Sequence, residues 1–257
     1  MTEILVDIRD GVGVITLEAP ERRNALTVSM ADELVTACNE LDSDRNVGAI
    51  VLRGAGGYFC AGADRAVLTA AHADPAGGTT FSNLSAIYRS FARVTELGVP
   101  SIAAVRGGAV GAGVNLLLSA SLRVVGRDAK IVSGFSSLGL HPGGGHLALL
   151  NRVAGYEATV ALGVLGQPLS GTRAYELGMA WEAPEDAHVE DRAEQLARNA
   201  AGDPELSRMV MASLRHELGP PPLTLAAALE LERASQMRTQ RRRGEGSPPT
   251  ISRAGNA

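Results

Sequence analysis

The sequence has little or none of several residue patterns on which whole classes of protein chemistry depend. Among 257 residues there are two cysteines, Cys38 and Cys60, and one lysine, Lys130. Two thiols without paired spacing argue against a disulfide framework and a zinc site, and they suit a reducing cytoplasm. A single lysine excludes a lysine nucleophile or Schiff base at any other position. No metal-ligand spacing and no phosphate-binding P-loop is present, so no metal is expected.

Long apolar runs are also missing. No apolar stretch reaches ~18 residues without a charge or a run of glycines, so no membrane span is expected. The first ten residues carry acids where a signal peptide would carry a basic segment. The formal net charge is -4, and the basic run 241–243 is interpreted as a solvated surface feature. We therefore expect a cytoplasmic protein that binds neither membrane nor nucleic acid.

Short apolar runs alternate with helical patterns, which favours an α/β fold. Asp10-Gly11 separates two β-branched runs and predicts a hairpin over 4–17. The other predicted elements are buried strands at 47–52, 102–105 and 122–125 and helices at 27–41, 188–201, 204–217 and 225–237. The segment 69–80 has little periodicity and is predicted to be a mobile loop. These patterns divide the chain into a core at 1–185, a helical subdomain at 186–240 and a disordered tail at 241–257.

Four segments, in this order and at these separations, carry a family resemblance. They are Pro-Glu-Arg-Arg-Asn-Ala-Leu at 20–26, Phe-Cys-Ala-Gly-Ala-Asp at 59–64, Ala-Val-Arg-Gly-Gly-Ala-Val-Gly-Ala-Gly at 104–113 leading into Val-Asn-Leu at 114–116, and Leu-Gly-Leu-His-Pro-Gly-Gly-Gly at 138–145. Together they resemble the crotonase (enoyl-CoA hydratase/isomerase) family over roughly 4–184. The resemblance implies the ClpP/crotonase-like spiral β-β-α superhelix, with a C-terminal helical trimerisation region. It also implies a homotrimer or a dimer of trimers.

The chemistry that the family performs agrees with the small residues in these segments. A thioester that undergoes α-deprotonation, conjugate addition or acyl transfer gathers negative charge on its carbonyl oxygen. Fixed backbone N–H donors stabilise that charge, and small residues let the thioester approach the backbone. By resemblance, the two donors of this oxyanion hole are the amides of Ala61 and Ala112. The partner is then an acyl-CoA, with no cofactor beyond its CoA moiety.

The resemblance further implies a set of substrate-binding residues. They are Arg23, Ala25, Ala61, Gly62, Ala63, Asp64, Gly111, Phe135 and Pro142. Arg22 and Arg23 can reach CoA phosphates, or either can be a surface cation. Asp64 is expected to cap the next helix rather than to take part in chemistry.

The sequence departs from a hydratase at the acid–base positions. Hydratases of this family hold and activate water with two glutamates, and the matching positions here are Asn115 and Phe135. A third acidic position, used by dienoyl-CoA isomerase relatives, is Gly143. Asparagine can orient water but cannot take its proton, and phenylalanine can do neither. Ordinary hydratase chemistry is therefore not expected.

Other polar groups are candidates for the missing roles. His141 is the candidate general base, against the alternative that it packs the loop. His146 is expected to be a helix-face or capping residue. Asn115 is the candidate for contact with substrate, and Ser136 and Ser137 line the pocket or satisfy the turn. Two hypotheses remain: an acyl-CoA enzyme with altered acid–base residues, or a non-catalytic acyl-CoA-binding protein that retains the pocket.

Overall fold

The computed structural model describes residues 2–74 and 76–219, and beyond these five single residues, which are Thr224, Ala227, Arg233, Met237 and Thr239. The side chains of residues 71 and 72 are not among those described. The predicted helix at 225–237 is therefore almost entirely outside the described residues, and the predicted tail at 241–257 lies wholly outside them.

Two sheets form the β-structure of the described residues. The strands are β1 (Ile4–Arg9), β2 (Val12–Leu17), β3 (Ala49–Gly54), β4 (Ser101–Val105), β5 (Gly108–Val110), β6 (Leu122–Val125), β7 (Lys130–Val132) and β8 (Leu169–Ser170). The larger sheet has the order β1-β2-β3-β4-β6, antiparallel between β1 and β2 and parallel elsewhere. The smaller sheet has the order β5-β7-β8. Parallel pairing requires crossover connections, and helices supply most of them.

Eight α-helices accompany the strands in the described residues. They are α1 (Val28–Ser43), α2 (Arg65–Ala73), α3 (Gly78–Thr95), α4 (Ala112–Ser119), α5 (His146–Thr159), α6 (Gly171–Glu176), α7 (Val189–Ala201) and α8 (Pro204–Leu218). Short helical turns occupy Pro20–Arg22, Ala55–Gly57, Ser136–Leu138, Val160–Val164 and Asp186–His188. The side chain of Thr27 accepts a hydrogen bond from the Met30 amide and fixes the start of α1.

Most of the predicted elements are confirmed. Asp10 and Gly11 both have positive φ (49° and 78°), as a tight hairpin turn requires. The predicted loop at 69–80 is wrong, because α2 continues to Ala73 and α3 begins at Gly78. Asp64 caps α2, and alanines favour the helix that follows. Among the described residues of the predicted loop, only 74, 76 and 77 lie outside these two helices.

The larger sheet is buried on both faces from β2 to β6, whereas the edge strand β1 is mostly exposed. Along β3, Ile50 and Leu52 belong to the main apolar core, while Ala49 and Val51 face a second cluster. That alternation follows from the two-residue period of a strand. The second cluster is closed by one side of α7, whose core residues are Val189, Ala193, Ala197 and Ala201. The boundary predicted at 185 is therefore wrong for α7, which packs as part of the core.

A membrane-crossing helix is not found in the part of the chain that the structure describes.

Candidate active site

An apolar cavity of about 300 Å³ lies where the smaller sheet meets the start of α4. Four parts of the fold form its wall: the segment 61–63, the segment 110–112, the segment 132–138 and the apolar side of α3. Leu84, Ile87 and Tyr88 of α3 contribute apolar side chains to the lining. Such an apolar lining suits an acyl chain, and the few polar groups of the wall can orient it.

The segment 61–63 is held in place by Leu26. The Leu26 amide donates to the Gly62 carbonyl (2.7 Å), and the Asp64 amide donates to the Leu26 carbonyl (2.9 Å). These two bonds form a parallel bridge between Leu26 and Ala63. In a parallel bridge the central residue directs its own N–H away from the partner. Ala63 lines the cavity, and its amide donates to none of the described residues.

Ala61 does not have the role that the resemblance implied. Its amide donates a 2.9 Å hydrogen bond to the carbonyl oxygen of Arg23. A backbone N–H that is already bonded within the fold is not available to a substrate oxygen. The free donor in this segment is therefore Ala63, two residues further along the chain.

The second predicted donor, Ala112, is free. Ala112 is the first residue of α4, and the preceding Gly111 offers no side-chain cap. The first N–H groups of a helix have no acceptor within the helix, and no described residue accepts from Ala112. The positive end of the helix dipole adds to the field at this point. Both properties favour an anionic oxygen next to the Ala112 amide.

Gly62 brings the two donor segments together. Its φ is 100°, and a Cβ added to it would lie 2.7 Å from the Val110 carbonyl oxygen and 3.6 Å from the Ala112 nitrogen. The two backbones therefore approach so closely that only glycine fits between them. Ala63 and Ala112, which flank this contact, both line the same cavity.

A second, more polar cavity of about 630 Å³ adjoins the first and shares Ala61 and Ala63 with it. Of the predicted substrate-binding residues, five line the polar cavity, and they are Arg23, Ala25, Ala61, Ala63 and Asp64. The apolar cavity is lined by Gly62, Gly111 and Phe135 and, again, by Ala61 and Ala63. Pro142 lines neither of these two cavities. The site thus has a polar and an apolar part, with Ala63 at their junction and Ala112 in the wall of the apolar part.

Three arginines line the polar cavity, and Arg22 and Arg23 differ in their partners. Arg22 pairs with Glu3 and with Glu21 (3.0 Å), whereas Arg23 is exposed and stacks its guanidinium over the Tyr58 ring at 5.5 Å. None of the described carboxylates pairs with Arg23. Asp64 accepts a hydrogen bond from the Ala66 amide (2.8 Å) and caps α2, as predicted. Arg23 and the exposed Arg65, which lines the same cavity, are therefore the cations available to a phosphate.

The predicted acid–base positions all line the apolar cavity, but none of them carries a carboxylate. Asn115, Phe135 and Gly143 are part of its wall. Among the described residues that line it there is no aspartate or glutamate. The Asn115 amide group is also committed within the fold, because Nδ2 donates to the Gly143 carbonyl (2.9 Å) and Oδ1 lies 2.7 Å from His146 Nδ1.

The structure places the two histidines differently from what the sequence suggested. His141, the candidate base, is exposed, and its Nδ1 lies 2.7 Å from the carbonyl oxygen of Pro142. It is not among the residues that line the cavity. His146 is fully buried and lies 2.8 Å from the Ser133 hydroxyl, which does line the cavity. His141 is therefore not placed to act as a base.

Ser133 was not found by sequence reasoning. It follows β7 directly, and its hydroxyl is buried at the cavity wall. The serines that the sequence singled out, Ser136 and Ser137, lie in the next turn, where Ser137 donates to the Gly134 carbonyl (2.8 Å). No motif marks Ser133, because its importance comes from a contact with a residue 13 positions away.

Burial sets the protonation of two groups in this region. Desolvation lowers the pKa of His146 to about 4, so its imidazole is neutral at pH 7. Desolvation raises the pKa of the Cys60 thiol to about 12. Cys60 is therefore a neutral packing residue, as the sequence indicated. No cluster of three or more metal-ligating side chains occurs among the described residues.

Comparisons with known proteins show which family the chain is similar to. Residues 7–247 match the family model "Enoyl-CoA hydratase/isomerase". The chain is 38% identical over 207 residues to the 1,2-epoxyphenylacetyl-CoA isomerase of Escherichia coli, covering 79% of this chain and 78% of that protein. It is 37% identical over 222 residues to a Mycobacterium tuberculosis protein named "Probable enoyl-CoA hydratase", covering 86% and 85%.

Among solved structures, an enoyl-CoA hydratase from Polaromonas sp. JS666 has a TM-score of 0.82 at 25% identity and covers 91% of this chain and 90% of that chain. The crotonase fold expected from the four segments is thus confirmed.

Proposed function

This chain belongs to the enoyl-CoA hydratase/isomerase family, and from that premise we propose that it processes acyl-CoA thioesters whose carbonyl oxygen is bound by the amides of Ala63 and Ala112. The observation that carries the proposal is the pair of unused N–H groups at the wall of one apolar cavity. In other enzymes, loss of one such donor lowers the rate by about 100- to 1000-fold.

The two cavities support a division of the substrate between them. An acyl chain fits the apolar cavity, and the CoA moiety fits the polar cavity, where Arg23 and Arg65 are exposed. The thioester group then lies at the junction, next to Ala63. Charge-assisted hydrogen bonds from guanidinium groups suit the CoA phosphates.

The reaction differs from hydration by a glutamate pair. Asn115 and Phe135 replace the glutamates, and the described lining of the apolar cavity contains no carboxylate. The same observation favours a second candidate function, a non-catalytic acyl-CoA-binding protein. Both functions use the same oxygen-binding amides, and they differ in whether any thioester is consumed.

One pair of measurements tests the proposal. Calorimetry with a saturated acyl-CoA measures binding, and the absorbance of the conjugated thioester of crotonyl-CoA measures hydration. We expect saturable binding with little hydration, because no carboxylate is placed to activate water. Failure to bind any acyl-CoA would overturn the proposal, and binding without turnover of any thioester would favour the second candidate.

The proposed assembly is a homotrimer or a dimer of trimers. Helix α8 has no buried side chain, and Val210, Leu214 and Leu218 are exposed at four-residue spacing along it. Such a stripe on one helix face suits contact with another chain. Light scattering after gel filtration tests this: a mass of three or six chains supports it, and a monomer contradicts it.

A further inference from the structure

Three buried side chains are joined by a continuous chain of hydrogen bonds at the apolar cavity, and two of them line it. The Ser133 hydroxyl lies 2.8 Å from His146 Nε2, and His146 Nδ1 lies 2.7 Å from Asn115 Oδ1. Their relative exposures are 1%, 0% and 1%. The three residues come from the end of β7, the start of α5 and the middle of α4. A series of serine, histidine and amide is the arrangement by which a base activates and a third group orients a nucleophile.

The hydrogen-bond partners fix the direction of this series. Asn115 Nδ2 faces two acceptors, the carbonyl oxygens of Gly143 (2.9 Å) and Gly144 (3.4 Å). Its Oδ1 therefore faces His146, so Nδ1 of His146 carries the hydrogen and donates it to Asn115. In a neutral imidazole the other nitrogen, Nε2, is then an acceptor. Consequently the Ser133 hydroxyl donates to Nε2 and turns its lone pairs away from the ring.

The surroundings keep the imidazole neutral and fixed. The Phe135 ring packs edge-on against His146 at 4.9 Å between centroids. Burial alone lowers the pKa of His146, with no charged neighbour contributing to the shift. At pH 7 the Nε2 lone pair is therefore available to accept a proton. His146 itself does not line the cavity, whereas Ser133 and Asn115 do.

Ser133 lies beside one of the proposed oxyanion donors. The Gly111 amide donates to the Val132 carbonyl (2.9 Å), which ties the end of β7 to the start of α4. A Cβ added to Gly111 would lie 3.5 Å from the Ser133 carbonyl oxygen. The next residue after Gly111 is Ala112. Ser133, Asn115 and Ala112 thus line the same cavity, with His146 buried in contact with Ser133.

We propose that Ser133 is a nucleophile that accepts the acyl group of a thioester, with His146 as its base and Asn115 as the positioning residue. This rests on the proposed function, because it requires the thioester carbonyl to sit between Ala63 and Ala112. The chain is then a thioester hydrolase, which needs no carboxylate and no reagent other than water.

The proposed hydrolysis needs only Ser133, His146 and water. Ser133 Oγ forms a bond to the thioester carbon while its proton moves to His146 Nε2, and the carbonyl oxygen becomes the oxyanion. The carbon–sulfur bond then breaks, and His146 returns the proton to the CoA thiolate. A water molecule attacks the resulting ester, again with His146 taking and returning a proton. The products are a carboxylic acid, CoA and the free serine.

The test uses hexanoyl-CoA with the full-length protein. Free CoA thiol is measured over time, and acid-quenched protein is examined by mass spectrometry for a hexanoyl group. We expect release of CoA and a hexanoyl adduct on Ser133. In Ser133→Ala and in His146→Gln the release should fall by about 100-fold or more. Ser133→Cys retains a nucleophile and should retain acylation at residue 133.

The control is Ser90→Ala, which removes an equally buried hydroxyl that bonds only within α3. It should release CoA as the unchanged protein does. Calorimetry with the same ligand separates the two proposals. If hexanoyl-CoA binds but no CoA is released, or if Ser133→Ala releases it at the unchanged rate, the nucleophile is wrong and the proposed function stands. If hexanoyl-CoA does not bind at all, both are wrong.

Discussion

The backbone amide of Ala61 donates a 2.9 Å hydrogen bond to the carbonyl oxygen of Arg23. This bond excludes Ala61 as a donor to substrate and leaves the amide of Ala63 as the free one in the same segment. Arg23 and Asn24 both have left-handed backbones, with φ of 52° and 56°. The tight turn that they form presents the Arg23 carbonyl to Ala61, so the geometry of the proposed oxyanion hole depends on this turn.

Removing the Asn24 side chain should destabilise the protein. Asn24 is fully buried, and its amide group bonds the Ala19 amide (2.9 Å) and the carbonyls of Ala55 (3.0 Å) and Tyr58 (2.6 Å). In Asn24→Ala these buried groups lose their partner, and each unpaired group costs about 1–3 kcal/mol. We expect urea unfolding to show a loss of about 2–4 kcal/mol.

The control for this change is Asn46→Ala. Asn46 is exposed and bonds only to the nearby Asp44, so its removal should stay within about 0.5 kcal/mol. Equal effects of the two substitutions would show that the 19–24 turn is not held by Asn24.

A methyl group at residue 62 should close the oxyanion hole. In Gly62→Ala the new Cβ would meet the Val110 carbonyl at 2.7 Å, which forces the two donor segments apart. We expect acyl-CoA affinity, measured by calorimetry, to fall by about tenfold or more. Gly139→Ala is the matched control, because Gly139 also has positive φ (66°) but no atom within 4 Å of the added group. A similar affinity in both variants would contradict the close approach at Gly62.

Arg23 should contribute to CoA binding through its charge. Arg23→Ala removes an exposed guanidinium that has no carboxylate partner among the described residues, and we expect a roughly tenfold weaker affinity for CoA. The loss should shrink at high salt. Arg89→Ala removes an exposed arginine on α3 that pairs with Asp32 at 3.3 Å, and it should leave CoA affinity unchanged. Calorimetry with CoA measures both variants, and an unaltered Arg23→Ala would place the phosphates elsewhere.

The stability of the protein should depend on pH through His146. Its pKa is about 4 when folded, below the ordinary value of 6.5 that applies to the unfolded chain. Between these values the unfolded chain binds the proton and the folded chain does not, so stability falls as the pH drops from 6.5 to 4. The contribution is on the order of 3 kcal/mol.

Unfolding in urea across this pH range measures the effect. His146→Gln should lack this part of the slope, whereas His188→Gln, at an exposed histidine, should follow the unchanged protein. If the free energy of unfolding of His146→Gln still falls as the pH drops, the pH dependence comes from other titratable groups.

The fold and the position of the site were largely predictable, because both depend on patterns within short segments. The Asp10-Gly11 turn, the buried strands and the start of α4 are each encoded by neighbouring residues. The prediction of a loop at 69–80 is wrong because it gave more weight to the glycines and proline at 75–78 than to the helix that Asp64 caps. The predicted boundary at 185 does not separate α7 from the core, because the apolar side of α7 packs against a sheet whose strands come earlier in the sequence.

The functional groups within the site were less predictable, because they depend on contacts across the fold. The backbone hydrogen bonds of Arg23 and Leu26 determine whether the amide of Ala61 or that of Ala63 lacks an acceptor within the fold. No short motif encodes these bonds. His141 is adjacent to the motif proline but points to solvent, while His146 is buried by Phe135 and Asn115. Ser133 becomes a candidate only through its contact with His146.

The central claim is that the amides of Ala63 and Ala112 bind the thioester oxygen, and the vibrational frequency of that carbonyl reports it directly. Ala112 is the first residue of α4, where proline is tolerated and removes only the N–H, so Ala112→Pro deletes one donor and Ala112→Gly keeps it. Difference infrared spectra of an isotope-labelled saturated acyl-CoA, bound to protein that carries Ser133→Ala to prevent turnover, measure the carbonyl stretch. We expect a shift to lower frequency that Ala112→Gly preserves and Ala112→Pro reduces. An identical shift in the two variants would contradict the account.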